Sequence, residues 1–268
     1  MNRLRTSFYL SICLSLMLAG FSRADITDFT NWSIVEDPPN DNLSASVTAA
    51  EAVLVAANGA VPNAADIGYK SINGPNALSS TQGYAFSPSA DFSIAVDYDW
   101  VFSGNPVGFL SLGFGVGEDD NGEDSVGAVM VTSGGSPLGN FSGGARVDNM
   151  SEIKGTAVAA SSSGSLFVSY DSASGDMTIG GSQSKGAAAP DTGGSATYDG
   201  IQNQWNDRDL FASFFIRSDP FTWQGGGTAE ATFSNFRILN GASQAVPEPT
   251  SLTVLFLFGT GLGLRRRR

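Results

Sequence analysis

The chain has no histidine and a single cysteine, Cys13. The lack of histidine removes the commonest general base and metal ligand, and with them every Ser-His or Cys-His nucleophilic pair. Because Cys13 is alone and lies in an N-terminal apolar run, no disulfide can link two parts of the chain. Composition alone therefore excludes a large group of enzyme classes, and no catalytic residue is predicted.

Positive charge is also scarce between the two ends of the chain. Seven of the 14 Lys and Arg residues lie at the termini. Between residues 25 and 242, seven basic residues face 25 acidic ones, which gives a formal net charge of −18. Such a surface repels nucleic acid and anionic lipid and favours solubility and divalent cations. We therefore expect no nucleic-acid partner.

The N-terminus has the three parts of a secretory signal peptide. Arg3 and Arg5 precede an apolar run from Phe8 to Gly20, and small residues stand at the −3 and −1 positions of a cut between Ala24 and Asp25. This order predicts a signal helix over residues 1–24, removed by signal peptidase, and an exported protein. An uncleaved anchor is the alternative, but the run is shorter than the roughly 20 residues of a membrane span.

The C-terminal segment also has three parts in a fixed order. Pro247-Glu248-Pro249 is followed by an apolar stretch from Leu252 to Leu264, and the chain ends in four arginines: Arg265, Arg266, Arg267 and Arg268. A helix over residues 251–264 would be about 21 Å long, against about 30 Å for the hydrocarbon core. The arginines should stay on the cytoplasmic side. The pattern predicts a short hydrophobic helix and transient anchoring in the inner membrane, with an ordinary permanent anchor as the alternative.

This arrangement resembles the PEP-CTERM sorting signal of Gram-negative bacteria that make extracellular polysaccharide. The resemblance implies that an exosortase-like enzyme processes the chain near Pro247-Glu248-Pro249. It also implies a location at the cell surface or in the extracellular matrix. It covers the tail, residues 243–268, and implies nothing about the activity of the domain at residues 25–242.

Between the two ends, short alternating runs predict a single all-β domain. The clearest run extends from Asp91 to Phe102, with apolar side chains on one face and Asp97 and Asp99 on the other, toward solvent or a ligand. A second run covers residues 107–116. The short linker between the two runs predicts neighbouring strands joined by a tight turn.

Two later segments resemble concanavalin-like and laminin-G-like jelly rolls. One is the hairpin from Tyr170 to Ile179, with Gly175 in its turn, and the other is the closing run from Phe233 to Ile238. An irregularity is predicted at Asn235, because Phe233 and Phe236 otherwise fall on opposite faces. The resemblance implies a two-sheet antiparallel β-sandwich, flanked by the signal helix and the C-terminal helix.

An acidic loop is the candidate metal site. Its members are Glu118, Asp119, Asp120, Asn121, Gly122, Glu123 and Asp124. Calcium requires six to eight oxygen ligands, and a loop with five carboxylates and an amide could supply several of them. The spacing is not that of an EF-hand. The alternative is a solvated turn that discourages edge-to-edge strand pairing.

Carbohydrate contacts are predicted at four residues: Asp97, Asp99, Trp205 and Trp223. The two tryptophans lie in polar settings where a ring could stack on a sugar or anchor a loop. The two aspartates could be a glycosidase pair, but the strand lacks the glutamates of laminarinase-like enzymes. We therefore favour a non-enzymatic surface or matrix protein that binds polysaccharide or calcium. The alternative is a secreted jelly-roll glycoside hydrolase or another polysaccharide-active enzyme.

Overall fold

The computed structural model describes residues 25–57, 64–104, 106, 108–132, 138–148, 150–219 and 226–246. Sixteen strands and two short 3-10 turns, Phe29–Asn31 and Gln202–Gln204, form within these residues. In chain order the strands are β1 (Ser33–Asp37), β2 (Leu43–Val47), β3 (Glu51–Ala56), β4 (Ala65–Lys70), β5 (Gly83–Ala85), β6 (Phe92–Ser103), β7 (Leu110–Gly117), β8 (Ser125–Thr132), β9 (Asn140–Val147), β10 (Met150–Ala159), β11 (Ser163–Asp171), β12 (Asp176–Ser182), β13 (Ser195–Tyr198), β14 (Phe211–Ser218), β15 (Thr228–Asn240) and β16 (Gln244–Val246).

The strands form two seven-stranded antiparallel sheets. The front sheet has the order β1-β4-β14-β7-β8-β9-β10, the back sheet has the order β13-β12-β11-β6-β15-β3-β2, and β5 pairs with β16 apart from both. The predicted all-β jelly-roll sandwich is confirmed. No helix in the described part of the chain is long and apolar enough to span a membrane. The two predicted terminal helices lie outside the described residues.

The hydrophobic core lies between the two sheets, because each strand turns its apolar face inward. Phe214 of β14 stacks on Phe233 of β15, with ring centroids 4.5 Å apart, and this contact joins the front sheet to the back sheet. Trp32 packs against both Phe214 and Phe236. Each fully buried side chain of this size stabilises the fold by about 1.5–3 kcal/mol. The described residues contain no cysteine, so packing of this kind, rather than a disulfide, stabilises the sandwich.

The predicted pairing of β6 with β7 is wrong. β6 pairs with β11 and β15 in the back sheet, whereas β7 pairs with β14 and β8 in the front sheet. Ile94 of β6 and Leu112 of β7 are both fully buried. Alternation identifies the inward face of each strand, but two strands that face one core from opposite sheets show the same pattern as two lateral neighbours.

Two local irregularities lie at the residues predicted from the sequence. Asn235 has a φ of 51°, and the β15–β6 register shifts between Ser234 and Arg237. The β11–β12 hairpin closes through Gly175, which has a φ of 77°. Both positions lie in the left-handed region, which glycine adopts freely and asparagine adopts more readily than most residues.

Candidate functional site

The outer face of the front sheet carries a groove with a volume of about 430 Å³. Residues from all seven strands of the sheet line it, together with part of the loop after β7. A surface concavity of this size suits a ligand with several contact points. The groove is therefore the candidate functional site.

The floor of the groove consists mainly of glycine. Ser213, Gly115, Gly127 and Gly144 lie in register across β14, β7, β8 and β9. A Cβ atom added at Gly144 would meet no atom within 4 Å, so the space above this position is open. Without side chains, the backbone itself forms a smooth floor that a flat ligand can approach closely.

One wall of the groove is aromatic. Phe215 lines the groove, and a Cβ atom added at Gly113 would come within 2.5 Å of Cε1 and Cζ of its ring. Gly113 and Phe215 are register partners on β7 and β14. The ring therefore leans across the neighbouring strand, where only glycine leaves room for it. Such a ring is a surface on which the C–H groups of a sugar can pack.

The opposite wall is more polar. It contains Phe211 and Arg146, with the loop residues 119–122 beside them. Trp205 packs behind this wall, where it is 8% exposed, and its Nε1 donates to the carbonyl of Arg146 at 3.0 Å. The prediction of Trp205 as an exposed stacking residue is therefore wrong, because the indole anchors a loop. Trp223 lies outside the described residues.

Lys70 closes one end of the floor. It is register partner to Ser213 and is only 5% exposed. Its Nζ donates to the carbonyl of Gly74 at 2.6 Å and to Oδ2 of Asp120 at 3.1 Å. The Phe211 ring centroid lies 5.9 Å from Nζ, within the range of a cation–π contact. A buried ammonium requires such partners, because desolvation of an unpaired charge is costly.

A cluster of charges lies at one side of the groove. Arg217 contacts Asp66 at 3.3 Å and Asp219 at 3.2 Å, and Asp37 is the register partner of Asp66. Burial raises the pKa of Asp66 to about 6; attraction to Arg217 opposes the rise, while repulsion from Asp37 and Asp219 adds to it. The Asp66 carboxyl therefore titrates at mildly acidic pH.

The acidic loop does not gather its carboxylates around one point. Glu118 is fully buried and accepts hydrogen bonds from the backbone N–H groups of Asn206 and Arg208, at 2.9 Å and 2.7 Å. Asp124, also buried, accepts from the Asn206 side chain at 3.0 Å. Burial raises the pKa of Glu118, and the two backbone hydrogen bonds oppose the rise.

The other members of the loop are also directed elsewhere. Asp120 pairs with Lys70, and Oδ1 of Asn121 accepts from the backbone of Glu123 at 3.1 Å. Burial is the main cause that raises the pKa of Asp119. Within the described ranges, no three His, Cys, Asp or Glu side chains converge on a possible metal position. The composition predicts calcium binding by this loop, whereas the positions of its described side chains favour no specific cation site.

Asp97 is buried and hydrogen-bonded within the protein rather than open to solvent. It is 3% exposed and accepts hydrogen bonds from Ser165 at 2.5 Å, Asn235 at 2.8 Å, Arg237 at 2.8 Å and the backbone of Gly186 at 3.0 Å. Burial raises its pKa, but these hydrogen bonds outweigh the effect and hold the pKa below its ordinary value. The expectation that Asp97 faces solvent or a ligand is wrong, because the segment after β12 covers it.

Asp99, by contrast, is partly exposed and forms an ion pair with Lys185. Both Asp97 and Asp99 lie on β6 in the back sheet, whereas the groove is on the front sheet. The two aspartates therefore do not line the groove, and the carboxylate pair considered for a glycoside hydrolase is not part of it.

The sorting residues are mostly beyond what the structure describes. Ala24, Pro247, Glu248, Pro249 and the four terminal arginines lie outside the described residues. Asp25 is exposed, and its Oδ1 accepts from the backbone N–H of Thr27 at 3.0 Å. Both the cleavage and the sorting hypotheses stay predictions.

The groove residues Phe211, Phe215 and Lys70 are absent from the residues predicted from the sequence. One signal was available: in β7, glycine alternates with Phe114 and Val116, which leaves the outward face without side chains from Gly113 to Gly117. Glycine in a strand interior often marks the close approach of a ligand or another backbone. The alignment of these glycines with Gly127 and Gly144 depends on long-range register and has no local signal.

No family model matches the chain, and no curated protein matches it by sequence. Among solved structures, the chain is similar in fold to a Bacteroides ovatus mixed linkage glucan GH16 protein in complex with a product, with 10% identity and a TM-score of 0.45 over 81% of this chain and 97% of that one. Peanut lectin with a peptide has 11% identity and a TM-score of 0.38 over 81% and 95%. A sialidase has 12% identity and a TM-score of 0.40; the match covers 79% of this chain but only 17% of the sialidase. These likenesses concern the fold alone.

Proposed function

We propose that this chain is an exported surface or matrix protein that binds polysaccharide, without cleaving it, in the groove of the front sheet. The observation that carries the proposal is the floor of Ser213, Gly115, Gly127 and Gly144 beside the Phe215 ring. A bare backbone floor admits a flat chain of sugar rings. The aromatic wall supplies the apolar surface on which such rings pack.

The dimensions of the floor suit a polymer. From Lys70 on β4 to Ile153 on β10 the floor crosses five strand spacings, which amounts to about 24 Å at about 4.8 Å each. One sugar ring in an extended chain occupies about one such spacing. The groove therefore accommodates several consecutive sugars, and oligosaccharides of six units are suitable probes.

The proposal of binding without cleavage rests on the sequence of β6 and on the partners of the groove carboxylates. β6 lacks the glutamates that laminarinase-like enzymes carry on such a strand. Asp37 lies beside Asp66 as its register partner, but Asp66 forms an ion pair with Arg217, and Asp120 forms one with Lys70. The tail that resembles PEP-CTERM supports export to a polysaccharide-rich surface.

The test is a binding titration of the purified full chain with cellohexaose, mannohexaose and laminarihexaose. Phe215→Ala removes the aromatic wall and should weaken binding of the preferred hexaose roughly tenfold, the equivalent of about 1.4 kcal/mol. Val101→Ala is the control, because Val101 is 62% exposed on the back sheet. Failure of every hexaose to bind, or equal affinities for the wild type and Phe215→Ala, would count against the groove.

A further inference from the structure

The ion pair between Lys70 and Asp120 lies in the groove and retains hydrogen-bonding capacity. Both residues line the groove. Nζ of Lys70 carries three donors, of which two are used by Gly74 and Asp120. Oδ2 of Asp120 accepts from Lys70, its side chain is 40% exposed, and Oδ1 has no hydrogen-bond donor in the described part of the chain. One donor and one acceptor therefore stand side by side.

This combination matches a pair of neighbouring hydroxyl groups. Each sugar hydroxyl can both donate and accept. One hydroxyl can accept from the Lys70 ammonium while the adjacent hydroxyl donates to the Asp120 carboxylate. Hydrogen bonds to charged groups are roughly twice as strong as those between neutral groups. The pair lies at the β4 end of the floor, next to Ser213, where a terminal sugar of a bound chain would lie.

The charges around the groove disfavour an acidic ligand. Five carboxylates and three cations line it: Asp37, Asp66, Asp119, Asp120, Glu152, Lys70, Arg146 and Arg217. Two of the cations, Lys70 and Arg217, are already paired with aspartates. A uronic acid carboxylate would therefore approach a lining of net negative charge, in a domain that is itself strongly acidic.

We propose that the Lys70–Asp120 pair is a subsite for two adjacent hydroxyl groups of a neutral sugar, and that the groove discriminates against polymers of uronic acid. This inference rests on the proposed function and specifies its ligand class. Lys70 recognises one hydroxyl group by donating a hydrogen bond to it. Asp120 recognises the adjacent hydroxyl group by accepting a hydrogen bond from it, and it repels a carboxylate placed nearby.

The experiment compares a neutral hexaose with an oligouronate of the same length. The purified full chain, Lys70→Met and Asp120→Asn are titrated calorimetrically with mannohexaose, cellohexaose and hexamannuronate at low and at physiological salt. The wild type should bind the better neutral hexaose at least about tenfold more tightly than hexamannuronate, a difference of about 1.4 kcal/mol. Lys70→Met should lose about tenfold in affinity for it. Asp120→Asn should raise the affinity for hexamannuronate severalfold and reduce the preference.

The ratio of the affinity for the neutral hexaose to the affinity for hexamannuronate separates ligand recognition from a merely structural role. If the Lys70–Asp120 pair only held the loop in place, its loss would lower both affinities together and leave their ratio unchanged. An unchanged ratio in Asp120→Asn would therefore overturn the inference. A wild type that binds hexamannuronate as tightly as the neutral hexaoses would also overturn it, while leaving binding in the groove intact. If no hexamer of either class binds, the proposed function itself fails. If Lys70→Met does not fold, as judged by near-ultraviolet circular dichroism, the ratio for Asp120→Asn still decides.

Discussion

Arg237 donates from Nη1 to Oδ1 of Asp97 at 2.8 Å, in a site where the aspartate is almost wholly buried. The same arginine donates from Nη2 to the carbonyl of Ala187 at 3.1 Å, which ties the segment after β12 to the back sheet. Removal of one partner leaves an uncompensated buried charge, which is far costlier than the loss of a surface pair.

We therefore expect Arg237→Met to lower the free energy of unfolding by about 3–5 kcal/mol. Urea denaturation at pH 7 measures this change in the free energy of unfolding. Because the pKa of Asp97 is lowered in the folded state, the stabilisation by its carboxylate is present at pH values above the unfolded pKa of 3.8. This stabilisation is lost as pH falls through the folded pKa. Lys185→Met, which removes the partner of Asp99, is the control and should cost no more than about 1 kcal/mol. Equal losses in the two variants would contradict the prediction.

A second prediction concerns pH. The pKa of Asp66 is raised from 3.8 to about 6, mainly by burial, so the folded state binds this proton more tightly than the unfolded state does. Its contribution to stability is therefore full below pH 4 and is lost as pH rises through about 6. Asp66→Asn should stabilise the fold at pH 7.5 by about 1 kcal/mol, a value reduced for partial solvent exposure. At pH 4 the change should be close to zero. Destabilisation at pH 7.5 in urea denaturation would contradict this.

The cation response of the acidic loop provides a third prediction. Because Glu118 and Asp124 already accept hydrogen bonds from the protein and Asp120 pairs with Lys70, a cation would have to displace these donors. We expect calcium, magnesium and sodium chloride at matched ionic strength to raise the melting temperature equally, through screening of the acidic surface. A larger shift with calcium alone would instead support the site predicted from composition. If the double variant Asp120→Asn, Asp124→Asn loses the extra increase in melting temperature with calcium, the calcium site lies in this loop.

Sorting is tested in cells. Replacement of Pro247, Glu248 and Pro249 with alanine should leave a longer species in the cell envelope, because the proposed processing enzyme no longer recognises the tail. Immunoblots of envelope and medium fractions measure both the length and the location. A variant that is shortened and delivered like the wild type would remove the support for a PEP-CTERM signal.

The sequence predicts the strands and the inward faces well because both depend on local alternation. Ile94 and Phe233 are buried as expected, and the irregularity at Asn235 lies at the expected residue. The burial of Asp97 could not be predicted in this way. Gly186, which donates to it, is 89 residues away along the chain. Contacts of this kind depend on which loop crosses which sheet.

The groove is a non-local feature for the same reason. Gly115, Gly127 and Gly144 lie on three strands, and only their pairing register places them in one row. A shift of one residue would turn each side chain to the other face. The predicted ligand residues were instead chosen for their chemistry, and they lie on the back sheet, behind a groove wall or outside the described residues.

The central claim, that a sugar chain lies on the glycine floor, is tested most directly by filling that floor. Gly144 and Gly155 both have open space where a Cβ atom would stand, but only Gly144 lines the groove. Titration of the preferred neutral hexaose into Gly144→Leu and Gly155→Leu compares two equally tolerated side chains. We expect Gly144→Leu to lower the affinity by at least about tenfold and Gly155→Leu to leave it unchanged, with similar melting temperatures for both. Binding to Gly144→Leu with the affinity of the wild type would contradict the account.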